Sequence, residues 1–130
     1  MRQGPRLTRN LSFNSLADYQ WITYPVHMPM RALLERELDL AGIPMPPSPI
    51  STASTFVTVA LLQQSAKLVS MLPSEVADMF TRRGMLTILP IDLKSKSQTV
   101  GVVTRANGNL SKAAQAFLAL LRAHARAVAT

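Results

Sequence analysis

The chain has 130 residues, is 48% apolar, and carries 14 basic against 7 acidic side chains, a formal charge of +7. This length and composition specify one folded domain with a real core and exclude a disordered chain. The absence of cysteine excludes a disulfide framework and thiolate chemistry and suits a reducing compartment.

No apolar run approaches the ~20 residues that span a bilayer. The basic start is not followed by the apolar stretch of a secretory signal, so a cytoplasmic location is expected, with no membrane partner. The charge is uneven: residues 1–30 hold three arginines against Asp18, and residues 31–92 hold five bases and six acids. Residues 93–130 hold Lys94, Lys96, Arg105, Lys112, Arg122 and Arg126 with no acid. A basic third of this kind suits either a nucleic-acid surface or a solvated helix face. Its interleaving with alanine, without aromatic stacking groups, favours the solvated face.

In chain order, residues 1–18 read as a lead-in loop with a short helical turn over 15–18. Residues 19–23 form a strand by aromatic and β-branched content, with Trp21 in the core. Tyr24 precedes Pro25 and opens a loop to Met28. Pro29 starts a helix with Met30, Leu33, Leu34, Leu38 and Ala41 on its apolar side and Arg31, Glu35, Arg36 and Asp39 mostly opposite; Gly42 stops it. A strand over 50–53 leads to Ser54, an N-cap for a helix running to about Ser65. That helix is apolar nearly all round, which predicts deeper burial than the first. A strand over 68–72 follows, then a helix from Pro73 to near Gly84 with Val76, Met79 and Phe80 inward. Strands are expected at 85–90 and 98–104, a turn at 107–109, and a final helix capped by Ser111. Its apolar line is Ala114, Phe117, Leu118, Leu121, Ala125 and Val128.

Strands alternating with helices predict an α/β fold, a largely parallel sheet flanked by helices. Ligands in open α/β sheets collect at the carboxyl ends of the strands, where helix N-termini also point. Two stretches then face one crevice: the loop from Thr23 to Met28 and the turn from Thr52 to Thr55. The hydroxyls of Thr52, Ser54 and Thr55 stand at a helix N-terminus, whose partial positive charge suits a small anion. The structural alternative for Ser54 is a helix cap alone, and for Tyr24 a filler of the domain surface. His27 either pairs with an anion or is solvated, and His124 is assigned no role. Two distant histidines and scattered acids make no metal set. With no phosphate loop and no nucleophile elbow, neither a cofactor nor enzyme chemistry is expected.

The order of these pieces resembles the effector-binding domain of LysR-type transcriptional regulators. Residues 15–22, Ser-Leu-Ala-Asp-Tyr-Gln-Trp-Ile, are similar to that family's S-L-A-D-Y-P-W-I, with Gln20 where proline is common. Residues 51–54, Ser-Thr-Ala-Ser, resemble its E-T-x-S turn, with Ser51 in place of the acid, and Met71-Leu72-Pro73 resembles its Leu-Leu-Pro. Residues 101–105 and 110–117 resemble the closing G-x-x-x-R and L-S-P-A-A-x-x-F, with Lys112 for proline. After the 54–65 helix the family's glycine-rich segment is replaced by Ser65-Ala66-Lys67.

The resemblance implies a two-lobed, periplasmic-binding-protein-like domain in which a small organic effector, such as a carboxylate, occupies the interlobe cleft. Residues 1–18 would be a lead-in or hinge, 19–91 the second lobe, and 92–130 the return strand and C-terminal helix of the first lobe. The effector contacts implied are Thr23, Tyr24, His27, Thr52, Ser54 and Thr55. DNA would be reached only through a helix-turn-helix domain not in this sequence, within a homo-oligomer. The final helix, without its first-lobe sheet, would dock on its own lobe or pair two chains. The rival reading is a stand-alone basic module that dimerises through the last helix and touches nucleic acid through residues 94–126. Half of a solute-binding protein is a further alternative.

Overall fold

Proline and glycine set the limits of the first long helix. Helix α1 runs Pro29–Ala41, with proline at the helix start where no N–H is needed. It closes at Gly42, whose φ of 68° is left-handed; the Gly42 N–H donates to Asp39 O at 3.0 Å and the Ile43 N–H to Leu38 O at 2.9 Å. The computed structural model describes residues 11–95 and 101–128. The chain divides into two units, Met1–Ser97 and Gln98–Thr130.

In the first unit three short strands, β1 (Gln20–Thr23), β2 (Ile50–Ser51) and β3 (Leu68–Ser70), form a parallel sheet in the order β2-β1-β3. The register pairs Ile22 with Ile50 on one side of β1 and Trp21 with Val69 on the other. Helices α2 (Thr55–Gln64) and α3 (Ser74–Arg82) complete the unit. The expected α/β class with a parallel sheet and flanking helices is what the chain forms.

Strand side chains alternate between faces, and Trp21 and Val69 share the face that carries the core. There they cluster with Leu16, Leu34 and Leu38. Phe13, from a 3₁₀ turn at Phe13–Leu16, stacks on Trp21 with ring centroids 6.2 Å apart. This turn begins two residues ahead of the expected one. Leu89 and Ile91 pack on the same cluster from the far end of the unit.

Four expectations need correction. Helix α2 is not the more buried helix: only Thr58 and Val59 are buried, while Phe56 is 81% exposed and Val57 is also exposed. An all-round apolar pattern shows what a helix tolerates, not what this sheet covers; α1 supplies the fully buried Leu34, Glu37 and Leu38 instead. Residues 85–90 form no strand, because the sheet of described residues offers them no ladder partner. They run as an irregular strap from which Leu89 packs on the core, while Met85, Thr87, Ile88 and Pro90 are exposed. Residues 101–104 are likewise not strand, and 98–100 lie outside the described residues. Met79 points outward on α3, leaving Phe80 as its buried residue.

In the second unit, α4 spans Lys112–Val128. The expected cap is present: Ser111 Oγ accepts the Ala114 N–H at 3.2 Å. Phe117, Leu120 and Leu121 are exposed. No helix among the described residues is long and apolar enough to cross a membrane.

Candidate functional site

Because β1, β2 and β3 are parallel, their carboxyl ends lie along one edge of the sheet, and the segments leading to α1, α2 and α3 emerge there. The two stretches singled out in the sequence meet at that edge. The Thr52 N–H donates to Thr23 O at 3.0 Å, which fastens the turn after β2 to the end of β1. Ser70 Oγ donates to Ile22 O at 2.8 Å and fastens β3 to the same end. The edge is thus built by strand pairing continued through backbone and hydroxyl bonds.

Two of the turn's hydroxyls have local tasks. Thr52 Oγ1 accepts the Ser54 N–H at 3.1 Å, a tight turn that aims the chain into α2. Ser54 Oγ accepts the Val57 N–H at 3.3 Å and caps the helix, and Thr58 Oγ1 donates to Ser54 O at 3.1 Å. Both accepting hydroxyls keep a proton to donate. The N–H groups of Thr55 and Phe56, the first two of α2, have no intrahelical acceptor by position. Neither α1 nor α2 carries an acid in its first turn. This arrangement presents donors and the positive end of a helix dipole, which suits a carboxylate.

The companion loop divides. Thr23 is 3% exposed, and its Oγ1 accepts from Arg31 Nη1 at 3.1 Å. Tyr24 is buried, while His27 is exposed on the loop. The six predicted residues therefore share one edge but not one degree of access: Thr52 and Thr55 are half-buried, Ser54 and His27 are exposed, and Thr23 and Tyr24 face inward.

Arg31 is the neighbour that the sequence reading placed on the solvent side. Its side chain is 12% exposed, and its Nε donates to Glu35 Oε1 at 2.7 Å. The signal was available: the pair is spaced i to i+4, and Arg31 lies in the first turn after the loop. No cluster of three or more metal-ligating side chains occurs among the described residues. Two open hollows lie elsewhere, one along Glu75, Asp78, Met79, Arg82 and Arg83, the other between residues 11–14 and 90–94 beside Ala41.

Comparison with known proteins accords with this architecture. The chain is similar to the HTH-type transcriptional regulator GbpR of Azospirillum brasilense, with 29% identity over 118 residues. That match covers 91% of the chain and 34% of the relative, so the chain spans about a third of that protein's length. No solved structure matches. The family model of the LysR substrate binding domain matches residues 4–126, nearly the whole chain. The chain belongs to the LysR substrate-binding domain family.

Proposed function

We propose that this chain is the effector-sensing portion of a LysR-type transcriptional regulator, and that the carboxyl edge of its sheet is one wall of an interlobe cleft for a small organic anion. The observation that carries the reading is the convergence of Thr52, Ser54, Thr55 and the α2 amide end on the edge closed by the Thr52–Thr23 bond, in a chain of this family. Residues 19–91 act as the second lobe, and the chain returns to the first lobe beyond Ser95. Binding is non-catalytic: the site offers donors that orient a charge but no nucleophile paired with a base.

Each donor contributes on the order of 1 kcal/mol net, and more toward a carboxylate. One wall alone therefore binds weakly, and useful affinity needs the opposing lobe. DNA is contacted by a domain outside this sequence, in a homo-oligomer to which the exposed apolar side chains of α2 and α4 contribute.

The test is a thermal-shift panel of aliphatic carboxylates, aromatic acids and sugar acids on the two-lobed domain. A ligand at 100 times its Kd adds about 2.7 kcal/mol of stability. A panel in which neutral sugars shift the domain and every acid leaves it unmoved overturns the anionic effector.

A further inference from the structure

Glu37 is the one carboxylate that α1 turns inward, 2% exposed and in register with Leu34 and Leu38 on the core face. A charge so placed requires partners, since burying it unpaired is costly. Its partners are not side chains of the sheet or of a neighbouring helix. The Lys94 N–H donates to Glu37 Oε2 at 2.9 Å and the Ser95 N–H donates to Glu37 Oε1. The two oxygens thus hold successive backbone amides 57 and 58 residues further along the chain. Leu89 and Ile91, a few residues earlier, are packed on the cluster of Trp21, Leu34 and Leu38. The strap is held by apolar contact at one end and by a buried carboxylate at the other.

We propose that Glu37 is a clamp that makes residues 89–95 a rigid part of this lobe up to Ser95, so that any movement between lobes leaves this segment undeformed. The functional clause rests on the two-lobe reading; the clamp itself does not. A sheet strand in this position would be held by its neighbours. This segment has no ladder partner among the described residues, and the bidentate carboxylate takes that place by binding the same backbone donors a strand would have used. Ionised carboxylate to N–H is the stronger form of such a bond, and the pair of donors fixes direction as well as position.

The experiment is amide hydrogen exchange on the full chain, reading Lys94 and Ser95 against Trp21 and Val69 in the sheet. In the unaltered chain the Lys94 and Ser95 amides should be protected at least 100-fold relative to an unstructured peptide. In Glu37→Gln, which keeps the volume and one acceptor, protection at these two amides should fall at least tenfold while Trp21 and Val69 keep theirs. Free exchange of Lys94 and Ser95 in the unaltered chain overturns the clamp, as does unchanged protection in Glu37→Gln. If that variant does not fold, Lys94→Pro removes one donor from outside the core. A tenfold loss at Ser95 then supports the clamp, and full protection there overturns it. Because no effector enters the measurement, failure of the clamp and failure of the effector site are read separately.

Discussion

Arg31 Nη1 donates to Thr23 Oγ1 across 3.1 Å, tying the first turn of α1 to the carboxyl end of β1. Thr23 is nearly inaccessible, so its hydroxyl depends on this donor, and the donor is steadied by Glu35. Replacing Arg31 with Met should cost about 1–2 kcal/mol through the lost charged bond. The Glu35 ion pair contributes little of that, being partly solvated. Urea titration of Arg31→Met, Thr23→Val and the double variant checks it: the double should be less destabilised than the sum of the singles, by about 0.5–1.5 kcal/mol. Strict additivity would show that the bond does not hold the edge together.

Ser54 has two candidate tasks, and two substitutions separate them. Ser54→Ala removes the acceptor of the Val57 N–H and should lower stability by about 1 kcal/mol. Ser54→Asp keeps a capping oxygen and adds a negative charge at the helix start, so stability should be retained while affinity for any carboxylate drops. If Ser54→Asp leaves carboxylate binding intact, the helix end is not where the anion sits. Calorimetric melting of each variant, with and without ligand, gives both readings.

Burial pushes the Glu37 carboxyl up, but the adjacent Ser95 side chain, the two backbone N–H donors and the Lys94 charge outweigh it, and its pKa lies below the usual value. The Ser95 hydroxyl contributes by proximity, since its Oγ has no partner of good hydrogen-bond geometry. A lowered carboxyl pKa means a contribution that is whole above the unfolded value of about 4.3 and is lost as pH falls through the lower folded value. Stability of the unaltered chain should decline over that acid window, and Glu37→Gln should flatten this part of the profile. Glu37→Ala, which strands both amides, should be less stable at neutral pH by about 1–3 kcal/mol per amide not recovered by water.

Helices α1 and α2 should respond unequally to truncation. Leu34→Ala opens a void in the core and should cost about 2–5 kcal/mol. Phe56→Ser, at an almost fully exposed position, should stay within about 0.5 kcal/mol for the isolated chain. Denaturant midpoints settle this, and a large loss at Phe56 in a monomer would mean that α2 packs more deeply than its exposure indicates.

Much of this was legible before the structure. Pro29 and Gly42 bound α1 by local chemistry, and Ser54 announces its cap, because such signals act within a few residues. The expected strands at 85–90 and 98–104, the latter over its described residues 101–104, misled because a β-rich segment becomes a strand only when a neighbour supplies hydrogen bonds, and sequence pattern does not reveal the neighbour. The burial of α2 misled for a related reason, since an apolar surface says nothing of what covers it. Glu37 was readable in principle: with Met30, Leu33, Leu34, Leu38 and Ala41 it falls on the apolar face of α1, and a charge there signals a buried partner. That the partner would be the backbone at Lys94 and Ser95 was not readable, since any residue type can supply an N–H. At the edge, residue types suggested the donors, while the Thr52–Thr23 bond and the inward turn of Thr23 and Tyr24 came only from the fold.

The most direct test of the central claim is an amide NMR titration of the proposed two-lobed domain with the acids of the thermal-shift panel. Binding at the proposed wall predicts saturable shifts concentrated at Thr55 and Phe56 N–H and at Thr52, with Ser54→Asp abolishing them. Saturable binding that leaves those amides unmoved and shifts residues elsewhere would contradict the account.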